Sequence, residues 1–141
     1  DIAADVEKIV TTILAAYPAD TTFIFVTMDQ NGISGHIDHI TMSYVATFAY
    51  INSKALDTRV KELWYFCVSD IMLPNADTSF VFRSKGRTLT EIDITTDITE
   101  VFELKKQIMR QHVSQRNDAE MLIKRAEQSP ALQECFYTYK D

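Results

Sequence analysis

Glycine and proline are scarce in this chain, three of each in 141 residues, which excludes collagen-like and linker-rich organisation. Cysteine is scarcer still. Cys67 and Cys135 cannot staple a disulfide scaffold, and such sparing use fits a reducing compartment, so the cytoplasm is expected. No apolar run approaches the roughly 20 residues that a membrane-crossing helix needs. The stretch Asp1-Ile2-Ala3-Ala4-Asp5 has neither the basic region nor the apolar segment of a secretory signal. Positive charge is in deficit, with 14 Lys and Arg against 20 Asp and Glu for a net charge of −6. Phosphate-rich surfaces demand concentrated positive charge, so nucleic acid and anionic membranes are excluded as partners. What is present is ordinary globular composition, 46% hydrophobic and 24% charged, at the length of a single domain.

The hydrophobic pattern switches repeatedly between helical and strand periods. Val6, Ile9, Val10, Ile13 and Leu14 recur at helical spacing over residues 3–16, and Pro18 closes that run. Residues 22–28, Thr-Phe-Ile-Phe-Val-Thr-Met, are β-branched, aromatic and nearly continuously apolar. Such a run predicts a short strand buried on both faces. A polar loop from Asp29 to Gly35 follows, then a helix over 36–55 with Ile40, Tyr44, Val45, Phe48 and Ile51 as its apolar face. Leu63–Val68 is a second strand, Phe80-Val81-Phe82 a weaker one, and residues 72–80 a loop. Residues 90–95 alternate like a half-buried strand. Asp97 with Glu100 opens a helix to about Ser114, and Asn117 with Glu120 another that ends before Pro130. Phe136–Tyr139 reads as the last strand. Alternation of this kind predicts an α/β fold with a mostly parallel sheet flanked by helices. Cys67 and Cys135 read as buried, inert thiols, and the aromatics at 64–66 and 136–139 as strand packing.

Two of the three histidines fall in Gly35-His36-Ile37-Asp38-His39. This cluster lies just beyond the carboxyl end of the first strand and at the start of a helix. Strand ends and helix N-termini converge there on a crevice in open α/β sheets. Residues three apart share a face of the first helical turn, and Asp38 between the histidines can orient an imidazole or balance its charge. Three readings follow from the residues: one or both histidines bind a metal, one acts as general acid or base with Asp38 behind it, or a helix simply begins with two exposed histidines. His112 shares the helical face of Leu104 and Ile108, so it is expected to point toward the core side.

Residues 31–39, Asn-Gly-Ile-Ser-Gly-His-Ile-Asp-His, resemble the second signature of the zinc-dependent de-N-acetylases. That family includes the LmbE-like proteins and N-acetylglucosaminyl-phosphatidylinositol deacetylase. Ile92-Asp93-Ile94-Thr95, Asp97-Ile98-Thr99 and Lys105 are similar to the strand and helix start that precede the family's late motif, and His112-Val113-Ser114-Gln115 is similar to that motif. Ile37 stands where the family usually has proline. The family's first signature, Ala-His-Pro-Asp-Asp, does not occur here. The resemblance implies a Rossmann-like fold, with residues 1–141 as the C-terminal part of a single deacetylase domain, incomplete at its N-terminus. It implies that His39 is a zinc ligand, that His36 steadies the oxyanion or protonates the leaving amine with Asp38 positioning it, and that Gly35 and His112 line the substrate or support the ligands. The remaining zinc ligands are then expected from an upstream segment or a companion chain. The implied reaction is Zn2+-dependent hydrolysis of the acetamide of a small-molecule acetylated amino sugar or a glycoconjugate bearing N-acetylglucosamine. Two alternatives stay open: a catalytically inactive deacetylase-like domain that binds a sugar or protein, and another metal-dependent hydrolase built on the same histidines. Homo-oligomerisation is left open as well.

Overall fold

A computed structural model describes residues 1–72 and 86–140, and there helices and strands alternate as the periodicity predicts. In chain order they are α1 (Ile2–Ala16), β1 (Phe23–Met28), the single distorted turn α2 (Gly32–Gly35), α3 (Ile37–Leu56), β2 (Val60–Cys67), β3 (Ile94–Asp97), α4 (Phe102–Met109), α5 (Arg116–Glu127) and β4 (Gln133–Thr138). The expected strand at 80–82 and nearly all of the expected loop at 72–80 lie outside the described residues. No helix among the described residues is long and apolar enough to cross a membrane.

The architecture is mixed α/β, an open four-stranded sheet in the order β1-β2-β4-β3 with helices around it. One helix, α3, carries the chain from β1 back across the sheet, so β1 and β2 pair in parallel, with Phe25 beside Leu63 and Thr27 beside Tyr65. The second connection differs. Ion pairs Lys106–Glu127 and Arg110–Glu120 run in opposite sequence directions and make α4 and α5 an antiparallel hairpin. A hairpin returns the chain to the sheet edge it left, so β4 must run backwards, antiparallel to both β2 and β3. The mostly parallel sheet expected from the alternation is corrected accordingly: β1, β2 and β3 point the same way, but only β1–β2 is a parallel ladder. The carboxyl ends of those three strands therefore share one edge of the sheet.

Tyr50, Val60, Leu63 and Tyr65 form the centre of the core, with Leu14, Phe23, Phe25, Tyr137 and Tyr139 packed around it. The face that α3 turns to the sheet is not the apolar one read from its sequence. Tyr44, Phe48 and Ile51 are exposed, whereas Ser43, Thr47 and Tyr50 are buried. The reason is close approach. Small hydroxyl residues let the helix settle near the strands, and they bond what they meet: Ser43 donates to the Met28 carbonyl at 2.7 Å and Thr47 lies 2.8 Å from the Tyr65 hydroxyl. A second correction concerns β1. It buries alternate residues only, leaving Ile24, Val26 and Met28 exposed, because it is an end strand with helices over one face.

The expected helix from Asp97 to Ser114 is interrupted as well. Asp97 does accept the Thr99 N–H at 2.8 Å, but Thr99–Val101 form a 3-10 turn, α4 ends at Met109 and a second 3-10 turn spans Val113–Gln115. No glycine or proline marks the break. Arg110 instead turns its guanidinium to Glu120 on α5.

Cys67 and Cys135 are buried and face each other directly across the β2–β4 ladder. Burial, with the neighbouring thiol as a smaller cause, pushes the Cys67 thiol up to about 12, consistent with an inert group. The far end of β4 is fastened by Asp93, which accepts from Lys140 Nζ at 2.7 Å, from the Thr138 N–H at 2.8 Å and from the Thr138 hydroxyl at 3.0 Å. These donors, Lys140 foremost, hold the Asp93 carboxyl down at about 2. An unfolded aspartate titrates at roughly 3.9. The fastening is thus present above about pH 4 and lost as pH falls through 2. In urea titrations, the stability gap between the natural protein and Asp93→Asn is expected to hold steady down to about pH 4 and to close toward pH 2.

Candidate functional site

Asp29 continues β1 past its end, its N–H bonded to the Phe66 carbonyl at 2.9 Å. Beyond it the backbone doubles back through three positive-φ residues, Gly32 at 72°, Ile33 at 62° and Gly35 at 77°. That conformation is open to glycine and costly for a β-branched residue. Hydrogen bonds hold it: the Asp29 carbonyl accepts from Gly32 N–H at 2.7 Å, the Asp29 carboxylate from Asn31 N–H at 3.0 Å, and the Asn31 side chain from Ile33 N–H at 2.8 Å. At Gly32 an added Cβ would sit 2.8 Å from Ile40 Cγ1 and 3.3 Å from His39 Cβ. Gly32→Ala therefore meets both the left-handed penalty and a packed neighbour, and is expected to cost about 2 kcal/mol, read as a shift of the denaturation midpoint.

The buried, half-turned Gly35 delivers the chain to His36, which is extended and caps α3. His36 Nδ1 accepts the Asp38 backbone N–H at 3.2 Å, so in this arrangement Nδ1 holds no proton and the ring's N–H is at Nε2. His39 is the reverse. Its Nδ1 lies 3.1 Å from the Gly32 carbonyl oxygen. A carbonyl can only accept, so Nδ1 carries a proton, and in the neutral ring Nε2 then carries the lone pair. The two rings are 5.2 Å apart, centre to centre. One imidazole thus offers a donor and its neighbour offers an electron pair. The Asp38 carboxylate is 3.8 Å from His36 Nδ1 and largely exposed, too far for a hydrogen bond; it is the Asp38 backbone, not its side chain, that fixes the His36 ring.

A lone pair at Nε2 with Nδ1 bonded to a carbonyl is the arrangement that suits an imidazole for zinc. A catalytic zinc site takes three protein ligands, and among the described residues no group of three or more His, Cys, Asp or Glu side chains is placed to hold an ion. These residues do not complete such a centre; His39 offers one imidazole nitrogen toward it. His112 is not with the pair on one helix face. It is exposed in the break after α4, and Leu104 and Ile108 on α4 itself are exposed too. The expectation that it points toward the core fails twice over, because the Leu104–Ile108 face of α4 is exposed and because the helix stops at Met109. A groove of about 720 Å3 runs along Thr95, Phe102 and Leu132 with no histidine in its lining, and its Lys106 is already paired with Glu103 and Glu127.

Sequence reasoning missed a buried carboxylate at this edge. Asp29 is 1% exposed and receives Arg87 in a two-pronged pair, Nε and Nη2 each at 2.7 Å. The Tyr137 hydroxyl lies 3.2 Å from the same carboxylate, and the guanidinium stacks 4.5 Å above the Tyr137 ring. Bonding to Asp29 pushes the Arg87 guanidinium further up, and burial pushes the Tyr137 hydroxyl up. Arg87 reaches this place because its backbone bridges β2's extension: its N–H bonds the Val68 carbonyl at 2.8 Å and its carbonyl takes the Asp70 N–H at 2.9 Å. Gly86 permits that approach, since a Cβ there would lie 2.4 Å from the Asp70 backbone. An aspartate opening a polar loop and an arginine 58 residues later carry no local signal that they meet. No family model, curated protein or solved structure matches this chain.

Proposed function

We propose that this chain carries the histidine half of a zinc-dependent deacetylase site on a Rossmann-like sheet. The substrate is the acetamide of an N-acetylglucosamine-containing small molecule or glycoconjugate. One observation supports it above the others: His36 and His39 stand 5.2 Å apart, and in their neutral forms one presents an N–H and the other a lone pair at Nε2. A bare helix N-terminus with two surface histidines requires no such division.

His39 would hold Zn2+ through Nε2, alongside ligands from an upstream segment or companion chain. A zinc ion bound there would supply a water acidified to a pKa of about 7 and polarise the amide carbonyl. His36 Nε2–H donates to the carbonyl oxygen as negative charge gathers on it. Asp38 adds compensating charge near that ring without touching it. Water adds to the acetyl carbon, the C–N bond breaks, and acetate and a free amine leave, the amine taking up a proton.

The test is zinc content together with acetate release from N-acetylglucosamine conjugates by the protein with whatever chain supplies the remaining ligands. Stoichiometric zinc and acetate release, both lost in His39→Ala, are expected. Sugar binding with neither zinc nor acetate would overturn the enzyme reading in favour of an inactive binding domain. Zinc with hydrolysis of esters or phosphates alone would point to another metal-dependent hydrolase.

A further inference from the structure

We infer that Asp29 and Arg87 are positioning residues, which set the tautomer and direction of the His39 ring through the backbone of residues 29–32. The inference rests on the reading of His39 as a zinc ligand only for its consequence in metal binding; the link itself is geometric.

The chain of contacts is continuous. Arg87 grips the Asp29 carboxylate with Nε and Nη2, and Tyr137 donates to the same oxygen that takes the Asn31 N–H. Asp29's own carbonyl takes the Gly32 N–H. Gly32 then presents its carbonyl to His39 Nδ1 at 3.1 Å. Gly32 can aim that carbonyl only while residues 32 and 33 keep their positive φ, 72° and 62°. Isoleucine resists that conformation, and it persists only where surrounding bonds impose it. Those bonds converge on Asp29. With the carboxylate slackened, the turn can relax, the carbonyl swings away and the His39 ring loses what keeps its proton on Nδ1. A free imidazole side chain in water favours the proton on Nε2, and that form has no lone pair there to give a metal.

A structural ion pair would also be buried, bidentate and stacked, so loss of stability cannot distinguish the two roles. The ring's proton can. We therefore specify imidazole nitrogen NMR on the full chain, natural and as Asp29→Asn and Arg87→Lys. In the natural protein His39 is expected as the Nδ1–H form and His36 as the Nε2–H form. In both variants His39 is expected to shift toward Nε2–H while His36 keeps its signature, since its partner is the Asp38 N–H and not the 29–32 turn. Arg87→Lys keeps the charge and loses only the two-pronged grip, so it decides the matter where Asp29→Asn does not fold. A His39 that stays Nδ1–H in a folded variant overturns the inference. A natural protein whose His39 is in the Nε2–H form overturns it too, whereas the tautomer shift found in this chain together with a completed centre that holds no zinc overturns only the ligand reading.

Discussion

Asp29→Ala is expected to be the most destabilising single substitution at this edge, costing about 3 kcal/mol. Removing one partner of a buried pair strands the other, and such losses run to roughly 3–5 kcal/mol. The lower end applies because the Arg87 side chain keeps 25% of its surface in water, while the Asp29 side chain keeps 2%. Two further groups lose this acceptor at the same time, the Asn31 N–H and the Tyr137 hydroxyl, and the Arg87 stacking on Tyr137 loses its anchor. Urea or guanidinium unfolding measures it. Replacing both charges with apolar residues, Asp29→Leu with Arg87→Met, is expected to cost less than Asp29→Ala alone, because no charge is then left without a partner. A cost below about 1 kcal/mol for Asp29→Ala would mean that water screens this pair as it does exposed ones.

The histidines are expected to separate in their effects. On the proposed reading, His39→Ala is expected to remove a ligand and with it both zinc and deacetylation. His36 is harder to test, because its ring also caps α3. Alanine there would take away the cap, worth about 1 kcal/mol, and confuse stability with chemistry. Asparagine caps well and cannot replace the imidazole N–H in place. His36→Asn is accordingly expected to fold with little change in stability, retain zinc and lose about 10²–10³ in kcat, the cost of one oxyanion donor. KM should move little, since the donor acts on charge that develops during reaction. Full activity in His36→Asn would remove His36 from the chemistry and leave it as a cap.

Much of the chain could be read locally. Val6, Val10 and Leu14 mark α1 and Pro18 its limit; the aromatic run at 63–67 marks β2; the glycines and histidines at 32–39 mark a turn at a strand end. Each rests on a period or a backbone preference expressed within a few residues. Misreadings arose where a distant partner decides. Ser43 and Thr47 are polar yet buried because the sheet has a carbonyl and a hydroxyl waiting for them, and their burial turns Tyr44 and Phe48 outward. His112 left its expected helix because α4 breaks where Arg110 engages Glu120.

From its sequence alone this protein is determined to be an α/β domain with a histidine pair between a strand end and a helix start. Periodicity and turn chemistry act over one or two turns of chain, and that is enough to specify both. Only the tertiary structure decided that β4 runs backwards, that the two imidazoles carry their protons on opposite nitrogens, and that Arg87 stands behind Asp29. Strand direction depends on how two helices pair, and a tautomer depends on which atom faces the ring. A buried ion pair depends on two residues 58 positions apart arriving at one place. These are properties of contacts between segments, and no single segment encodes them.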